Sequence, residues 1–476
     1  MAYKDLREFM AVLESKGFLV RVKAEVDPEW EINGVTRKLQ EMAGPAVVFE
    51  NVKGHKVPVL SELIGTLERL ALALGMDASA SDREITEEWI KRTEHPIAPK
   101  LVETGPCKEK ILLGEKADLN TIFPPVIWHK GDGGPYIGTL GLQVTKDPET
   151  GVQNTGLYRQ MVRTKNETSL YMPNTQHGGR HLQKWARLYP DKPMPVAVAI
   201  GTEPCYLLTA AAKLTHPPAE DDYAGALRGE PLGLVKCETC DLQVPATSEI
   251  ILEGEVYPEE LKPCGPFGEY TGFLGGEQDF NVFHLKAITH RNNPIFQGTR
   301  EGQPRGKGCV EDGFLWIKGE EYLIYKELMG IDDGVTDVHM PLWTSGHQVN
   351  VSLRTLRPGH PFQIMQKIWG SRLGNHVKNV VIVDEGVDIR NPGEVDWAMA
   401  NLVQGDRDVL ICPRCPQDGL DSSQPYSRRF MTAKLGIDAT TPVYEYKAEG
   451  REPPPTCHDP DIVAKVEAQW EKYGIK

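Results

Sequence analysis

The N-terminal part of the chain alternates between helical and strand-like hydrophobic patterns, which is typical of an α/β unit. Apolar residues recur at helical spacing from Leu6 to Leu13, and Gly17 ends that predicted helix. FLVRVKAEV then favours a strand, and a predicted helix with Pro28 near its start follows. A strand at AVVFENV and a helix at LIGTLERLALALG come next. We therefore predict an N-terminal α/β domain over residues 1–110, ending in a proline-containing link.

Short β-rich runs separated by turn residues dominate residues 111–315. Among them are YIGTLGLQVTKD, NTGLYRQMVR, PVAVAIG, SEIILEGEV and FNVFHLKAITHR. Predicted helices at RHLQKWARLYP and over residues 219–228 interrupt them. This pattern predicts an antiparallel barrel or sandwich with insertions.

Residues 316–476 return to an α/β pattern. A helix is predicted at FQIMQKIWGSRLG, and residues 378–413 follow the order strand, helix, strand that is typical of a parallel sheet. After EPPP, the amphipathic DIVAKVEAQWEKYG predicts a tail helix that packs on another domain or subunit.

Composition and charge narrow the functional classes. The 476 residues are 40% hydrophobic and 25% charged, which is ordinary for a soluble globular protein. A net charge of -14 argues against nucleic acid as a partner, since phosphate binding needs a positive face. No apolar run is long enough for a membrane span, and charges occupy the place of a signal-peptide core. We therefore expect a cytoplasmic protein.

The sequence contains neither a P-loop nor a G-x-G-x-x-G between a strand and a helix, so the usual modes of nucleotide binding are unsupported.

The nine cysteines predict reduced thiols, because an odd number without a signal peptide suits a reducing cytoplasm. Two C-x-x-C pairs occur, Cys237 with Cys240 and Cys412 with Cys415. A four-cysteine zinc site or a redox pair is conceivable. Because the pairs lie far apart in sequence, ordinary buried or loop thiols are the favoured interpretation.

Four polar features stand out in the β-rich part. GVQNTGLYRQMV places Asn154 and Arg159 in a strand-like run, and NTQHGGRHLQKW contains His177. THPPAEDDYAG places Glu220 at a predicted helix start, and CGPFGEYTG places Glu269 in a turn. Each has an ordinary structural explanation, such as a strand end, a capping loop, carboxylates offsetting a helix dipole, or a tight connection.

Taken together, these residues also suit a metal and proton-transfer site. An amide oxygen, an imidazole nitrogen and a carboxylate form a mixed ligand set for Mg²⁺ or Mn²⁺, and the imidazole favours Mn²⁺. Such an ion commonly carries a phosphate. An arginine and a glutamate on neighbouring elements can hold a substrate carboxylate and move a proton.

Several long motifs in the same order make the chain resemble the UbiD family of decarboxylases that use prenylated FMN. They are QNTGLYR, TQHGG, YAGALRGEP, VPATSEIILEGE, GPFGEYTG, RNNPIF and VIVDEGVD, and the match runs nearly end to end. The resemblance is closest to members acting on aromatic acids, such as hydroxybenzoate, vanillate and protocatechuate decarboxylases. It implies an N-terminal α/β domain, a central split β-barrel that binds the flavin, and a C-terminal α/β domain that oligomerises.

The resemblance also implies a set of site residues. The Mn²⁺ ligands fall on Asn154, His177 and Glu220, and the ion bridges to the flavin phosphate. A K⁺ is expected beside it, held largely by backbone carbonyls near Ala211 and Ala212 and by Glu220. The remaining implied flavin contacts are Gly156, Leu157, Tyr158, Arg159, Gln176 and Lys378.

The implied reaction is reversible loss of CO₂ from an aromatic or heteroaromatic acid. Arg159 would grip the substrate carboxylate, and Glu269 would act as the general acid that protonates the ring carbon. The implied partners are a flavin prenyltransferase that supplies the cofactor and further copies of this chain, as a dimer or hexamer. The alternative is a flavin-binding subunit of a carboxylase or decarboxylase complex without activity alone.

One position departs from the family pattern. Where the family usually has a second glutamate five residues before the acid, this chain has Cys264. We expect either that Arg159 binds an anionic group more readily or that another carboxylate replaces the missing one in space. Two loops, TREGQPRGKG over 299–308 and DSSQPYSRRF over 421–430, are possible substrate-side elements, the former alternatively a mobile surface loop.

Overall fold

The structure is a computed structural model that describes residues 3–302, 309–424, 429–450 and 459–474. The helices are α1 Leu6–Ser15, α2 Glu31–Glu41, α3 Leu67–Ala73, α4 Asp82–Thr93, α5 Leu119–Ile122, α6 His177–Leu188, α7 Pro204–Ala211, α8 Glu220–Arg228, α9 Glu311–Met329, α10 His360–Gly370, α11 Pro392–Leu402, α12 Val443–Glu449 and α13 Pro460–Glu467.

The strands of the N-terminal and central parts are β1 Leu19–Val26, β2 Ala46–Val52, β3 Val59–Ser61, β4 Lys100–Leu101, β5 Lys110–Leu113, β6 Leu142–Lys146, β7 Gln153–Leu157, β8 Gln160–Thr164, β9 Glu167–Leu170, β10 Met194–Ile200, β11 Gly233–Lys236, β12 Gln243–Pro245, β13 Ile250–Cys264, β14 Phe267–Gly268, β15 Leu274–Gly275, β16 Gln278–His290 and β17 Phe296–Gln297. Those of the C-terminal part are β18 Val335–His339, β19 Gln348–Leu353, β20 Asn379–Asp384, β21 Val409–Pro416 and β22 Met431–Ala439.

The N-terminal part is a small mixed sheet with helices, as its pattern predicts. Its strand order is β1-β2-β3-β17, so a strand from late in the central segment completes it. Helix α1 buries its four apolar residues on one face, as their spacing requires. Helix α3 begins only at Leu67, later than the apolar run suggested, because the Thr66 side chain caps it by accepting from Arg69 N–H.

The central antiparallel sheet has the strand order β7-β6-β10-β13-β16-β9-β8, with β5 added beside β16. Its two outermost strands, β7 and β8, are consecutive in the chain and are joined only by Tyr158 and Arg159. A two-residue link cannot cross a flat sheet of this width. The sheet therefore curls round until its edges almost meet, and Tyr158 and Arg159 lie in the remaining gap, as in a split barrel.

The C-terminal sheet has the order β18-β19-β20-β22-β21, and β19, β20 and β22 run parallel. The prediction of a simple parallel strand–helix–strand unit was wrong for the second strand, since β21 pairs antiparallel with β22 at the edge. The more buried β22 takes the interior position beside β20, whereas β21 exposes side chains such as Ile411, 65% accessible.

The longest helix, α9, connects the sheets and buries most of its length, with Phe314, Ile317 and Tyr322 in the largest apolar core. The tail helix α13 buries none of its residues within the chain. In the part of the chain that the structure describes, no helix combines the length and apolar character that crossing a membrane requires.

Candidate active site and metal centre

The predicted metal residues come together where β7 meets the first residues of two helices. Asn154 is a buried residue of β7, His177 begins α6, and Glu220 begins α8. His177 Nδ1 lies 2.9 Å from Asn154 Oδ1, and Thr155 N–H donates to Glu220 Oε2 at 2.9 Å. The structure adds His216, whose ligand nitrogen lies within 4.8 Å of the corresponding atoms of His177 and Glu220.

The chemistry of these side chains fits a divalent cation. Burial raises the pKa of Glu220 to about 8, with the charge of Arg372 as a smaller opposing effect, and burial lowers the pKa of His177 to about 4. His216 Nδ1 is buried and has no hydrogen-bond partner among the described residues. Adjacent ligands of an octahedral ion at about 2.1 Å are about 3 Å apart, close to the Asn154–His177 separation. Two imidazoles, a carboxylate and an amide oxygen suit Mn²⁺.

Tyr158 fixes the geometry beside this centre. Its hydroxyl accepts a hydrogen bond from Gly178 N–H at 3.0 Å, and its backbone is held on both sides by Gln143. A Cβ on Gly156 would lie 2.7 Å from the Tyr158 ring, and one on Gly178 would lie 2.8 Å from its hydroxyl. The TGLY and HGG motifs therefore need their glycines to let one ring pack between β7 and α6.

At the other end of the two-residue link, Arg159 forms a buried ion pair with Glu269. The guanidinium carbon lies 5.3 Å from the Tyr171 and Phe267 ring centroids and 5.4 Å from that of Phe280. Three aromatic rings therefore exclude water around a charged pair. Arg159 Nε is buried without an acceptor among the described residues and remains available to a ligand.

Burial is the largest influence on Glu269 and raises its pKa, although the charge of Arg159 opposes this. The residue follows β14 in the short connection to β15, where its N–H donates to Phe273 O at 2.9 Å. A Cβ on Gly275 would lie 2.6 Å from Glu269 Oε1, so the glycine turn makes room for the carboxyl. The GPFGEYTG turn thus holds an acid close to a cation in a water-poor position.

Cys264, the departure from the family pattern, ends β13 and is 2% accessible. Burial raises the pKa of its thiol even though Arg159 is near, so it carries no negative charge toward the guanidinium at neutral pH. A different carboxyl approaches the Arg159–Glu269 pair, because Glu269 and Arg159 both influence the pKa of buried Glu301, which burial raises most. Glu301 lies outside the strand–turn segment, in the loop over 299–308 that its sequence marked as a possible substrate-side element.

The remaining predicted flavin and K⁺ contacts lie on several different elements around this centre. Gln176 precedes α6 and is exposed, whereas Leu157, half-buried, ends β7. Helix α7 ends at Ala211, with Ala212 as its C-cap, so its last carbonyls have no intrahelical partner and suit a cation. Lys378 precedes β20 and donates to Asp421 Oδ1 at 3.3 Å.

Sequence reasoning missed several neighbours of the metal residues. His216 lies four residues before Glu220 in a motif in which only the carboxylates were singled out. Asp221 was singled out only as part of the acidic helix start; burial raises its pKa to about 7, and its Oδ1 has no partner in the described part of the chain. Arg372 comes from the C-terminal part and adds to the effect of burial in lowering the pKa of His177. No local pattern connects Arg372 to residues two hundred positions earlier.

The two suggested substrate-side loops are only partly described. Arg300 is buried and donates to Asn33 Oδ1 and Gln40 Oε1 at 2.6 Å each, so it is not a free anion-binding group. Residues 303–308 and 425–428 of these loops lie outside the described residues.

Two further clusters of possible ligands lie elsewhere. Asp82, Glu321 and His339 converge, but Lys318 and Arg390 already neutralise them. Cys237 and Cys240 converge with Glu253. A four-cysteine zinc site is wrong, because the second pair lies on β21 of a different sheet, with Cys412 Sγ and Cys415 Sγ 3.3 Å apart.

Comparison with known families covers nearly the whole chain. Three domain families of 3-octaprenyl-4-hydroxybenzoate carboxy-lyase match it: the N-terminal domain over residues 10–89, the Rift-related domain over 100–304 and the C-terminal domain over 315–439. An uncharacterized protein of Archaeoglobus fulgidus is 36% identical, with 99% of each chain covered.

Solved structures give the same result. The closed form of vanillic acid decarboxylase from Sedimentibacter hydroxybenzoicus has a TM-score of 0.89 at 32% identity, with 100% of both chains covered. A further structure of that decarboxylase contains a truncated second component, ShVdcD. The UbiD-class enzyme HmfF from Pelotomaculum thermopropionicum, in complex with FMN, has a TM-score of 0.83 at 31% identity, covering 95% of this chain and 97% of that one. An evolved dimeric form of HmfF is in complex with prFMN, with a TM-score of 0.82 at 31% identity, covering 92% and 95%.

Proposed function

Because the chain belongs to the UbiD family of carboxy-lyases, we propose that it catalyses the reversible, non-oxidative decarboxylation of an aromatic or heteroaromatic carboxylic acid with prenylated FMN. The family and the carboxy-lyase class confirm the prediction made from the motifs. The observation that carries the proposed reaction is the buried Arg159–Glu269 pair inside three aromatic rings, two residues from the metal-ligand strand.

Asn154, His177, His216 and Glu220 would hold Mn²⁺, and the ion would bind the phosphate of the flavin. Support comes from the buried His216 Nδ1, which has no partner among the described residues, and from the positive charges of Arg372 and Arg180 near His177. The carbonyls at the end of α7, at Ala211 and Ala212, would hold K⁺ together with Glu220. Gly156, Leu157, Tyr158 and Gln176 would line the flavin, and Lys378 would reach it from the C-terminal part by exchanging its contact with Asp421.

Prenylated FMN supplies the electron sink that an aromatic carbon needs when it loses CO₂. Arg159 orients the substrate carboxylate with the donor that its Nε keeps free, and the aromatic rings strengthen this contact by excluding water. Glu269 holds a proton on its carboxyl oxygen and delivers it to the carbon that CO₂ leaves. In the reverse direction the Glu269 carboxylate accepts that proton. Cys264 is a neutral neighbour of this pair and makes the Arg159 site more receptive to anions.

The same proposal covers the organisation of the chain. We place the domains at residues 1–110, 111–315 and 316–476, with the flavin in the central one. A flavin prenyltransferase would supply the cofactor, and the exposed tail helix α13 would contact another copy in a dimer or hexamer.

A second candidate function is a flavin-binding subunit that is inactive alone. It is favoured by the ShVdcD component found with the vanillic acid decarboxylase. Purified chain co-expressed with a flavin prenyltransferase separates the two possibilities. CO₂ release or ring-proton exchange by the lone chain excludes the inactive subunit, and plain FMN in its mass spectrum would count strongly against the main proposal.

The site assignment is tested by two variants, one at the proposed metal centre and one at the Arg159–Glu269 pair. His177→Ala should lose Mn²⁺ and flavin together, whereas Glu269→Gln should keep both but lose about 100-fold or more in turnover, the usual contribution of a general acid. Glu277→Gln, an exposed residue of the same segment, is the matched control. Unchanged flavin content in His177→Ala would show that the metal centre is elsewhere.

A further inference from the structure

The hairpin between β11 and β12 carries the C-x-x-C pair that the proposed function does not use. We propose that Cys237, Cys240 and Glu253 form a second metal site, which binds one soft divalent cation of the Zn²⁺ class. Their ligand atoms all lie within 4.8 Å of one another. The ion would fasten this hairpin to the long central strand β13.

Backbone contacts already shape the loop for this arrangement. Cys237 N–H donates to Leu242 O at 2.9 Å and closes the turn that carries both thiols. Glu253 lies in β13 opposite Ala197 and Ala287, and its side chain leaves the sheet toward the turn. Cys240 is half-buried, so a cation from solvent can reach the cluster past its side chain, whereas Cys237 lies deeper.

Glu253 is a buried carboxylate without a cationic partner among the described residues, as expected of a residue that binds a metal ion. It is fully buried, and no lysine, arginine or histidine of the described chain forms an ion pair with it. Lys108, whose charge acts on Cys237, pairs with Glu238 at 2.5 Å instead. A buried carboxylate without a counter-charge is costly, and a bound cation removes that cost.

The lone pairs of Glu253 leave room for one metal bond. Its Oε1 accepts from Glu238 N–H at 2.8 Å, and its Oε2 accepts from Thr239 N–H at 2.7 Å and from the Thr239 hydroxyl at 2.8 Å. A carboxylate oxygen has two lone pairs, so Oε1 keeps one that is free of these bonds. The same hydrogen bonds fix the orientation of the carboxylate, as outer contacts of metal ligands usually do.

The thiols favour a thiophilic ion. They hydrogen-bond to one another, so their sulfur atoms lie close enough together to bind one ion. Two thiolates and one carboxylate give three charged ligands, leaving one position of a tetrahedral zinc ion for water. Binding replaces the thiol protons, which are released to solvent, and no electron is transferred.

The test uses the full-length protein, purified with reductant and stripped by a chelator, with Co²⁺ and Zn²⁺ as probes. Co²⁺ bound by thiolate gives a charge-transfer band that the nitrogen and oxygen ligands around His177 cannot give. We expect one such site per chain, lost in Cys237→Ser/Cys240→Ser and kept in the control Cys412→Ser/Cys415→Ser. No band in the wild type, or loss in the control pair instead, would overturn the site.

Two further measurements do not depend on the folding of the double variant. Zn²⁺ should slow alkylation of Cys237 and Cys240 in the wild type, because a thiolate bound to metal is not free to react, and should leave the rates at Cys412 and Cys415 unchanged. Equal or absent protection contradicts the proposal. Glu253→Gln should weaken Zn²⁺ binding about tenfold or more with the thiolate band retained. Unchanged affinity would remove Glu253 from the site and with it the three-ligand arrangement.

Discussion

Arg159 and Glu269 show how single residues set the chemistry of this site. Burial makes the charged carboxylate unfavourable, while the adjacent guanidinium makes it favourable, and burial is the larger effect. The result is an acid whose pKa lies above its ordinary value although a cation touches it. A general acid that donates a proton near neutral pH needs a pKa raised in this way, so that it stays protonated.

The pH dependence of turnover should reflect this raised pKa. Since only protonated Glu269 can donate, the decarboxylation rate should fall as pH rises through its pKa, at a pH above the ordinary value for a glutamate. Asp418 adds to the raised pKa of Glu269 after burial, so Asp418→Asn should move the falling limb to lower pH. A pH profile of kcat measures the limb, with the exposed Asp279→Asn as control. A limb that stays in place would mean that Glu269 is not the titrating acid.

Cys264 gives the second prediction at this scale. In Cys264→Glu a new carboxylate beside Arg159 should compete with the substrate carboxylate, raising KM for the acid about tenfold and altering substrate range. Cys264→Ser, neutral and of similar size, should keep the wild-type KM. Steady-state kinetics across a panel of aromatic acids measures both. A Glu variant with unchanged rate and range would show that position 264 has no part in the network.

At the scale of elements, the site depends on how closely α6 approaches β7. The contact is made by the Tyr158 ring between two glycines, and it places His177 beside Asn154. The first turn of α6 therefore both begins the helix and positions His177 relative to Asn154 of β7. Small residues here serve close packing, because a side chain on either glycine would displace the ring.

Gly178→Ala tests this contact. The added methyl would lie 2.8 Å from the Tyr158 hydroxyl, so we expect destabilisation by about 1–3 kcal/mol and reduced Mn²⁺ and flavin content. The control is Gly34→Ala in α2, where nothing lies within 4 Å and a helix former should add about 0.5–1 kcal/mol. Thermal unfolding and metal analysis measure both. Wild-type metal content in Gly178→Ala would contradict the role of close packing.

At the scale of the whole molecule, a buried ionic cluster connects distant parts of the chain. Lys318 of α9 lies 2.5 Å from Glu321 and 2.6 Å from Asp82 of α4, and His339 of β18 lies 3.0 Å from Glu321. Burial would raise the pKa of Glu321, but the charges of Lys318 and His339 outweigh it and lower that pKa to about 2. The cluster therefore joins the N-terminal helices to the C-terminal sheet.

Acid should weaken this connection. Because the folded-state pKa of Glu321 is depressed, its stabilisation is complete above the ordinary value of about 4.5 and is lost as pH falls toward 2. Glu321→Gln should cost about 3 kcal/mol at pH 7, since Lys318 remains buried, and should flatten the acid limb of stability. Denaturant unfolding at several pH values measures this, with the exposed Glu103→Gln as control. An equally steep acid limb in the variant would assign acid sensitivity to other groups.

Local sequence patterns account for most elements and for one end of the site. Helical spacing predicts α1, α6 and α10, and the order of motifs identifies the family, because periodicity and short motifs are local properties of the chain. Asn154, Arg159, His177, Glu220 and Glu269 could be named because they lie in four short motifs, of which Asn154 and Arg159 share one. The antiparallel pairing of β21 could not be predicted, since the order of strands in a sheet depends on distant neighbours. The start of α3 depends on the local Thr66 cap, which the apolar pattern alone does not show.

Contacts between remote segments required the folded chain. The curl of the central sheet places Tyr158 and Arg159 in its gap, and folding brings His216 to the predicted metal residues and the charge of the Arg159–Glu269 pair to bear on Glu301. Folding also brings the buried carboxylate of Glu253 to the Cys237–Cys240 turn. In the described chain this carboxylate has no ion-pair partner, and this distinguishes the first C-x-x-C pair from the pair of Cys412 and Cys415. Burial and unpaired charge arise only when segments far apart in sequence pack together, so no local pattern encodes them.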